Sequence, residues 1–162
     1  MADFRDRTAC FTGHRQIPPF VGMTLQHKAE KVIRELYARG IIYYGCGGAI
    51  GFDTLMAKTC FRLRDSGACP RLRVILVAPF KGQEERWTYS QQSIYQGMLK
   101  QYDKVVYQSK APSRDAFLAR NRHLVDASSV CVAYCVETSG GTAYTVDYAA
   151  KKGLNIINLA TF

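Results

Sequence analysis

Short apolar runs alternate along this chain with longer segments in which apolar residues recur every three or four positions. The short runs, rich in β-branched residues, have the length of strands, and the longer segments have the periodicity of amphipathic helices. Strands are predicted at residues 7–12, 41–46, 72–78, 104–108, 129–135 and 155–160. Helices are predicted at residues 24–39, 53–66, from the end of an 80–87 loop to about 102, 113–127 and within 140–152.

The strict alternation of strand and helix predicts a fold. Strands that are apolar throughout are typical of a parallel sheet covered on both faces. We therefore expect a doubly wound, mostly parallel α/β sheet of the Rossmann-like type, with residues 1–162 forming one domain. In such sheets, ligands bind beyond the carboxyl ends of the strands, where the strand order reverses.

Composition narrows the function classes. The chain is 48% hydrophobic and 22% charged, which is typical of a globular protein, and its net charge of +9 favours anionic partners. Residues 1–7 carry charges and no apolar run, and no stretch approaches the length of a membrane span, so a cytoplasmic protein is expected. The six cysteines and three histidines show no ligand spacing, and we expect buried, reduced thiols, no metal and no cofactor.

Three glycine turns each follow a predicted strand and precede a predicted helix. The first turn is Thr12-Gly13-His14-Arg15, the second turn is Gly47-Gly48-Ala49-Ile50-Gly51-Phe52-Asp53, and the third turn is Ser139-Gly140-Gly141-Thr142. Glycine lets the backbone approach a ligand closely, and the helix behind it offers free N–H groups. Three such turns at one end of a parallel sheet predict a cleft for a phosphate-bearing molecule.

Each turn also has a purely structural interpretation. In the first turn, His14 and Arg15 bind a ligand or are ordinary surface residues. The second turn fits neither the dinucleotide fingerprint nor the P-loop, and Asp53 is either a helix N-cap or an acceptor for a ribose hydroxyl. In the third turn, Thr142 caps the helix, binds phosphate, or does both.

Two further features carry candidate chemistry. Arg120-Asn121-Arg122 lies within a predicted helix, and by sequence alone a solvated helix face explains it. Trp87, the single tryptophan, follows a strand at the rim of the expected cleft, where it stacks on a base or anchors the next helix in the core.

Taken together, the three turns, Trp87 with Gln91, and Arg120-Asn121 resemble the SLOG superfamily, and more narrowly its YpsA/YspA-like branch. The resemblance runs from about Thr8 to Leu159. It implies a Rossmann-like fold that binds nucleotides or nucleotide-derived ligands. The superfamily includes LOG-type phosphoribohydrolases, which release a base from a nucleoside monophosphate, and the DNA-binding DprA/Smf proteins.

In LOG enzymes, an arginine on the helix before the glycine turn and a glutamate just after it carry catalysis. Arg120 or Arg122 is similar to that arginine, but Ala143, Tyr144 and Thr145 follow Thr142 where the glutamate is needed. Glu137 is a possible substitute. Because cleavage at a glycosidic carbon needs a carboxylate, the resemblance favours binding over hydrolysis.

The leading hypothesis is therefore a sensor or sequestering protein that binds a nucleotide or a nucleotide-derived molecule. The alternatives are a nucleotide N-glycosidic hydrolase, whose catalytic candidates are Arg120, Arg122 and Glu137, and a DprA-like nucleic-acid binder. A homodimer is expected only by analogy, and no membrane partner is expected. The predicted ligand-binding residues are Thr12, Gly13, His14, Arg15, Gly47, Gly48, Gly51, Asp53, Trp87, Arg120, Asn121, Ser139, Gly140, Gly141 and Thr142, with Trp87 or Tyr144 stacking on a base.

Overall fold

The computed structural model describes residues 3–161, and Met1, Ala2 and Phe162 lie outside the described part. A 3₁₀ turn at Phe4–Arg7 precedes six strands and five helices. The strands are β1 Thr8–Gly13, β2 Tyr43–Cys46, β3 Arg73–Ala78, β4 Lys104–Tyr107, β5 Val130–Tyr134 and β6 Asn155–Asn158. The helices are α1 Pro19–Ala38, α2 Phe52–Asp65, α3 Tyr89–Leu99, α4 Arg114–Asp126 and α5 Gly141–Lys151.

All six strands form one parallel sheet in the order β4-β3-β2-β1-β5-β6. The chain works outwards from β1 to one edge, then returns to β5 on the other side of β1. The strand order thus reverses between β1 and β5, which pair from Ala9↔Val130 to Gly13↔Tyr134. The doubly wound, Rossmann-like prediction is confirmed, and its expected ligand position is the gap beyond these two strand ends.

Side chains of the sheet alternate between two apolar layers. Phe11 and Val132 pack with α1, α2 and α3, whereas their strand neighbours Cys10 and Cys131 pack with α4 and α5. This alternation follows from the two-residue period of a strand, and each large buried side chain contributes about 1.5–3 kcal/mol of burial free energy. All six cysteines are free thiols and five are buried, with Cys135 partly exposed.

Several element ends differ from the prediction. Helix α1 begins at Pro19, five residues before the predicted start, because a proline at the first helical position loses no hydrogen bond. Strand β2 begins only at Tyr43, although Ile41 and Ile42 are buried. Ser113 caps α4 as expected, and its hydroxyl accepts the Ala116 N–H.

The suggested caps of α2 and α5 are wrong. Gly51 and Gly140 occupy the N-cap positions, so Asp53 and Thr142 each lie inside the first turn of their helix. Both side chains are therefore available for other roles. No helix within residues 3–161 is long and apolar enough to cross a membrane.

Candidate functional site

A cleft of about 370 Å³ opens beyond the carboxyl ends of β1 and β5. It brings together parts of all three glycine turns and the middle of α4. Nine predicted ligand-binding residues line it: Thr12, Gly13, His14, Arg15, Asp53, Arg120, Asn121, Gly141 and Thr142. Because parallel strands end at one edge of the sheet, segments more than 100 residues apart in sequence meet here.

Asp53 lies at the buried end of the cleft. Its side chain is 7% exposed, and its Oδ2 accepts the Ala49 N–H at 3.2 Å. Its Oδ1 is buried and has no hydrogen-bond partner within residues 3–161. Burial raises the pKa of Asp53 to about 6, although Arg120 and the Ala49 N–H pull the pKa down. Asp53 therefore borders the cleft with one carboxylate oxygen that lacks a donor, and a ligand donor reaches this oxygen after a small shift of the side chain.

Arg120 is 4% exposed and holds the second turn in place. Its Nη1 donates to the Gly47 carbonyl, and its Nε donates to Asn121 Oδ1 at 2.8 Å. Burial lowers the pKa of Arg120, and the attraction of Asp53 opposes this shift. Two N–H groups of this guanidinium thus bond to the protein, so Arg120 positions the second turn and Asn121.

The amino end of α5 presents free donors to the cleft. The first helical bond runs from the Tyr144 N–H to the Gly140 carbonyl, which leaves the N–H groups of the preceding turn without helical acceptors. Gly141 and Thr142 line the cleft at this point. An anion placed here gains both the donors and the positive end of the helix dipole.

Arg15 is exposed, and its guanidinium has no hydrogen bond or ion pair among residues 3–161. It lines the cleft and the two neighbouring hollows. His14 is more constrained, because its Nε2 accepts the Val136 N–H at 2.9 Å and its ring lies edge-on to Tyr134. His14 thus ties the first turn to the segment after β5 and carries its proton on Nδ1.

Three of the predicted ligand-binding glycines, Gly13, Gly47 and Gly51, lie where other parts of the protein pack closely against the turns. A Cβ on Gly13 would overlap the Phe52 ring, and a Cβ on Gly51 would overlap the Arg15 carbonyl oxygen. At Gly47 it would lie 2.6 Å from Arg120 Nη1. These positions are filled by protein atoms, so the glycines there permit packing between the turns.

The remaining predicted residues lie elsewhere. Gly48, Gly51 and Trp87 line a second cavity of about 240 Å³ beside the cleft. Gly47, Ser139 and Gly140 line neither cavity.

The other catalytic and stacking candidates also fall outside the cleft. Arg122 donates to the Tyr144 hydroxyl at 3.1 Å on the outer surface, so neither residue faces the cleft. Glu137 is exposed and lines a separate hollow with Arg15 and His14. Of the two arginine candidates on α4, the geometry therefore favours Arg120.

Sequence reasoning missed the apolar wall of the cleft. Phe117 and Leu118 on α4 line it, and Phe117 packs edge-on against Phe80, 5.3 Å between ring centres. Helical spacing offered a signal, because Phe117 and Arg120 are three residues apart and share a helix face. Ala49, from the second turn, also lines the cleft.

The cleft therefore combines a buried acceptor, a helix amino end, an unpaired guanidinium and an aromatic wall. This set suits a ligand with hydroxyl groups and negative charge. Among residues 3–161, no group of histidine, cysteine and acidic side chains is arranged to hold a metal ion.

The YspA SLOG family model matches residues 11–158, which is most of the chain. The chain belongs to that family. A UPF0398 protein of Bacillus velezensis is 26% identical over 126 residues, covering 76% of this chain and 68% of that protein. A UPF0398 protein of Bacillus pumilus is 27% identical over 128 residues, covering 77% and 68%.

Solved structures of DNA processing protein A share the fold of this YspA SLOG family member. The protein from Helicobacter pylori, whose single-stranded DNA binding mode is described, matches with a TM-score of 0.62 at 19% identity, covering 92% of this chain and 63% of its own. The protein from Streptococcus pneumoniae matches with a TM-score of 0.66 at 18% identity, covering 94% and 50%. This chain therefore spans less than two thirds of the length of each of these two proteins.

Proposed function

We propose that this protein binds a nucleotide or a nucleotide-derived molecule in the cleft and acts as a sensor or sequestering protein. The observation that carries the proposal is Asp53, which lines the same cavity as the amino end of α5 and whose Oδ1 is buried without a hydrogen-bond partner among the described residues. A ribose hydroxyl supplies the missing donor, and a phosphate meets the free helix N–H groups.

The phosphate position is supported by three kinds of donor. The first donors are the N–H groups at the amino end of α5, which have no helical acceptors. The second is the Arg15 guanidinium, which is unpaired among the described residues. The third is the Asn121 amide nitrogen, which is left as a donor because the Asn121 oxygen accepts from Arg120. Hydrogen bonds from charged donors to phosphate are stronger than neutral ones, so Arg15 contributes most per bond.

The strength with which the sugar is bound depends on the ionisation of Asp53. With a pKa of about 6, the carboxyl group is largely ionised at pH 7.5 and accepts hydroxyl protons. Below pH 6 it is protonated and loses part of this capacity. Ligand affinity is therefore expected to rise as the pH increases through 6.

Hydrolysis of the ligand is the alternative from the LOG resemblance. The acidic side chain that lines the cleft is Asp53, while Glu137 is exposed in a neighbouring hollow. We favour binding, and the assay below includes the release of free base as a direct readout.

The test combines ligand identification with a matched pair of variants. Mass spectrometry of small molecules released from the gently denatured protein, together with a thermal-shift screen of nucleotides, is expected to identify a stabilising nucleotide recovered intact. Arg15→Ala is expected to weaken its binding at least tenfold and to change stability by less than about 1 kcal/mol, because this exposed side chain makes no hydrogen bond or ion pair among the described residues and acts on Asp53 only through a longer-range attraction.

Arg39→Ala is the control, since it removes the same charge at the distal end of α1 and should bind normally. Recovery of a free base with ribose phosphate would mean that the protein hydrolyses its ligand, and hydrolysis would then replace binding as the proposed function. Full affinity in Arg15→Ala, or the absence of any stabilising nucleotide, would contradict the proposal.

Nucleic acid is a second candidate. The net charge of +9 and the shared fold with a single-stranded DNA-binding protein favour it. Binding through phosphates would weaken steeply with salt. Fluorescence anisotropy of a labelled oligothymidylate, measured across a salt series, should show strong, salt-sensitive binding if this function is correct, and none if it is not.

A further inference from the structure

The second cavity is separated from the cleft by the second glycine turn. Ala49 and Asp53 of this turn face the cleft, whereas Gly48 and Ile50 face the second cavity. The turn is thus a partition between two cavities, and Arg15 borders both of them.

The walls of the second cavity are aromatic and aliphatic. Trp87 is partly exposed, and its ring meets the Tyr95 ring edge-on at 5.4 Å and 82°. Ile94, Met98 and Tyr102 complete the apolar lining. A cavity with these walls favours a flat, apolar group over a phosphate or a sugar.

The polar groups of these walls are mostly occupied. The Tyr95 hydroxyl accepts from Gln83 Nε2 at 3.2 Å, and the Tyr102 hydroxyl lies 4.0 Å from Cys46 Sγ. Gln91 uses its Oε1 to accept the Thr88 N–H in the cap of α3. Its amide nitrogen is left to donate to a ring acceptor, which selects a heteroaromatic ring over a plain hydrocarbon.

The size of the second cavity indicates that it forms only part of a larger site. Small-molecule sites have volumes of about 300–1,000 Å³, and the second cavity alone, at about 240 Å³, is below this range. Joined to the cleft across Arg15, it falls well inside the range. A nucleotide that occupies both would cross the partition at its glycosidic bond, with the base in the second cavity and the phosphate on the cleft side, where Arg15 is available to bind it.

We propose that the second cavity is the base-binding compartment of the ligand, with the sugar and phosphate groups in the cleft and the glycosidic bond crossing between the two. This rests on the proposed nucleotide-binding function and adds where the base lies. Trp87 is the stacking surface, and Gln91 is the donor to the ring.

The test uses the fluorescence of Trp87, the single tryptophan of the chain. The probes are four nucleoside diphosphates, ADP, GDP, CDP and UDP, and ribose 5-phosphate, which has no base. At least one diphosphate is expected to quench this fluorescence on binding. Ribose 5-phosphate is expected to bind, by thermal shift, without quenching.

Trp87→Leu keeps an apolar side chain against the core and removes the stacking surface. It should weaken binding of that diphosphate by about tenfold and leave ribose 5-phosphate within twofold. Tyr89→Leu is the matched control, because this neighbouring aromatic side chain is 88% exposed. It should change neither the binding of the diphosphate nor the binding of ribose 5-phosphate. If Trp87→Leu fails to fold, Ile94→Glu is the second variant, because it places a charge at the mouth of the same cavity from a position that is 43% exposed. It should weaken the binding of the diphosphate and leave the binding of ribose 5-phosphate unchanged.

The two proposals fail in different ways. If no probe binds, the nucleotide-binding function and the base compartment are both wrong. If ribose 5-phosphate and the diphosphates bind equally, without quenching and without an effect of Trp87→Leu or Ile94→Glu, the cleft proposal stands and the base compartment is wrong.

Discussion

The second and third glycine turns look alike in sequence, yet they differ in what surrounds them. Around Gly47 and Gly51, protein atoms occupy the space that a Cβ would need. Around Gly141, nothing lies within 4 Å of that position, and the residue lines the cleft. A glycine at a strand end therefore either lets the protein pack on itself or leaves the space beside it open.

The second turn, which protein atoms close off, is called the closed turn, and the third turn, which faces the cleft, is called the open turn. The closed turn helps to hold the open turn in position. The Phe52 N–H donates to the His14 carbonyl at 3.1 Å, and Arg120 reaches from α4 to the Gly47 carbonyl. The first turn, the second turn and α4 are thereby joined into one support. His14 Nε2 also accepts the Val136 N–H, so this support reaches the segment that leads into the third turn, and a preformed site binds a ligand without a large ordering cost.

The largest expected effect is on the closed turn. Gly51→Ala combines a left-handed backbone, φ +83°, with a Cβ that overlaps the Arg15 carbonyl oxygen. The expected loss in the free energy of unfolding is about 3 kcal/mol or more, measured by urea denaturation.

Gly40→Ala separates the two causes. It has a similar φ of +98° with nothing within 4 Å, so it should lose only the conformational part, about 1–2 kcal/mol. Equal losses for the two variants would show that the second turn is not closed by packing.

The fold was predictable because its signals are local. Apolar runs of strand length and the helical period set the six strands and five helices, and parallel strands bring the turns to one edge. Helix starts were less predictable. Pro19 opens α1 at a position where a proline pair also fits a loop, and Gly51 and Gly140 take the cap positions in place of the predicted caps Asp53 and Thr142.

The candidate site was predictable only in part, because residues distant in sequence decide which of its spaces are filled by protein atoms. The atoms that fill the space beside Gly13 and Gly47 belong to Phe52 and Arg120, far along the chain. The same limit applied to the choice between Arg120 and Arg122. Two residues apart on a helix, they point in different directions, and only the packing of α4 decides which one faces the cleft.

A smaller, pH-dependent effect is expected at Asp53, the acidic side chain of the closed turn that faces the cleft. Burial raises the pKa of Asp53 from an ordinary 3.8 to about 6, so the folded state binds this proton more tightly than the unfolded state. The stability that protonation contributes is complete below pH 4 and is lost as the pH rises through 6. Asp53→Asn removes this loss and should be more stable than the wild type by about 1–3 kcal/mol at pH 8, with no difference near pH 4.

The measurement is a series of urea denaturations between pH 4 and pH 8. Glu137→Gln, at an exposed carboxylate outside the cleft, should show no such trend. A constant difference between Asp53→Asn and the wild type at every pH would mean that the buried carboxyl group is not perturbed by its surroundings.

The smallest effect on stability is expected in the open turn, where the contrast with the closed one is sharpest. Gly141→Ala adds a methyl group to the first residue of α5, at a φ outside the left-handed region and with no atom within 4 Å. The free energy of unfolding should change by less than about 1 kcal/mol, in the stabilising direction. Nucleotide affinity, measured by thermal shift with the ligand identified above, should fall at least tenfold.

Gly97→Ala is the matched control, because Gly97 lies in α3 with equally open surroundings and lines neither cavity. It should change stability as little as Gly141→Ala and leave affinity unchanged. If both variants bind normally, the space beside Gly141 is not used by the ligand, and the phosphate must lie nearer Arg15 and Asn121. If only Gly141→Ala loses affinity, the open turn contacts the phosphate directly, since a variant that keeps its stability and loses its ligand has lost contact area and not structure.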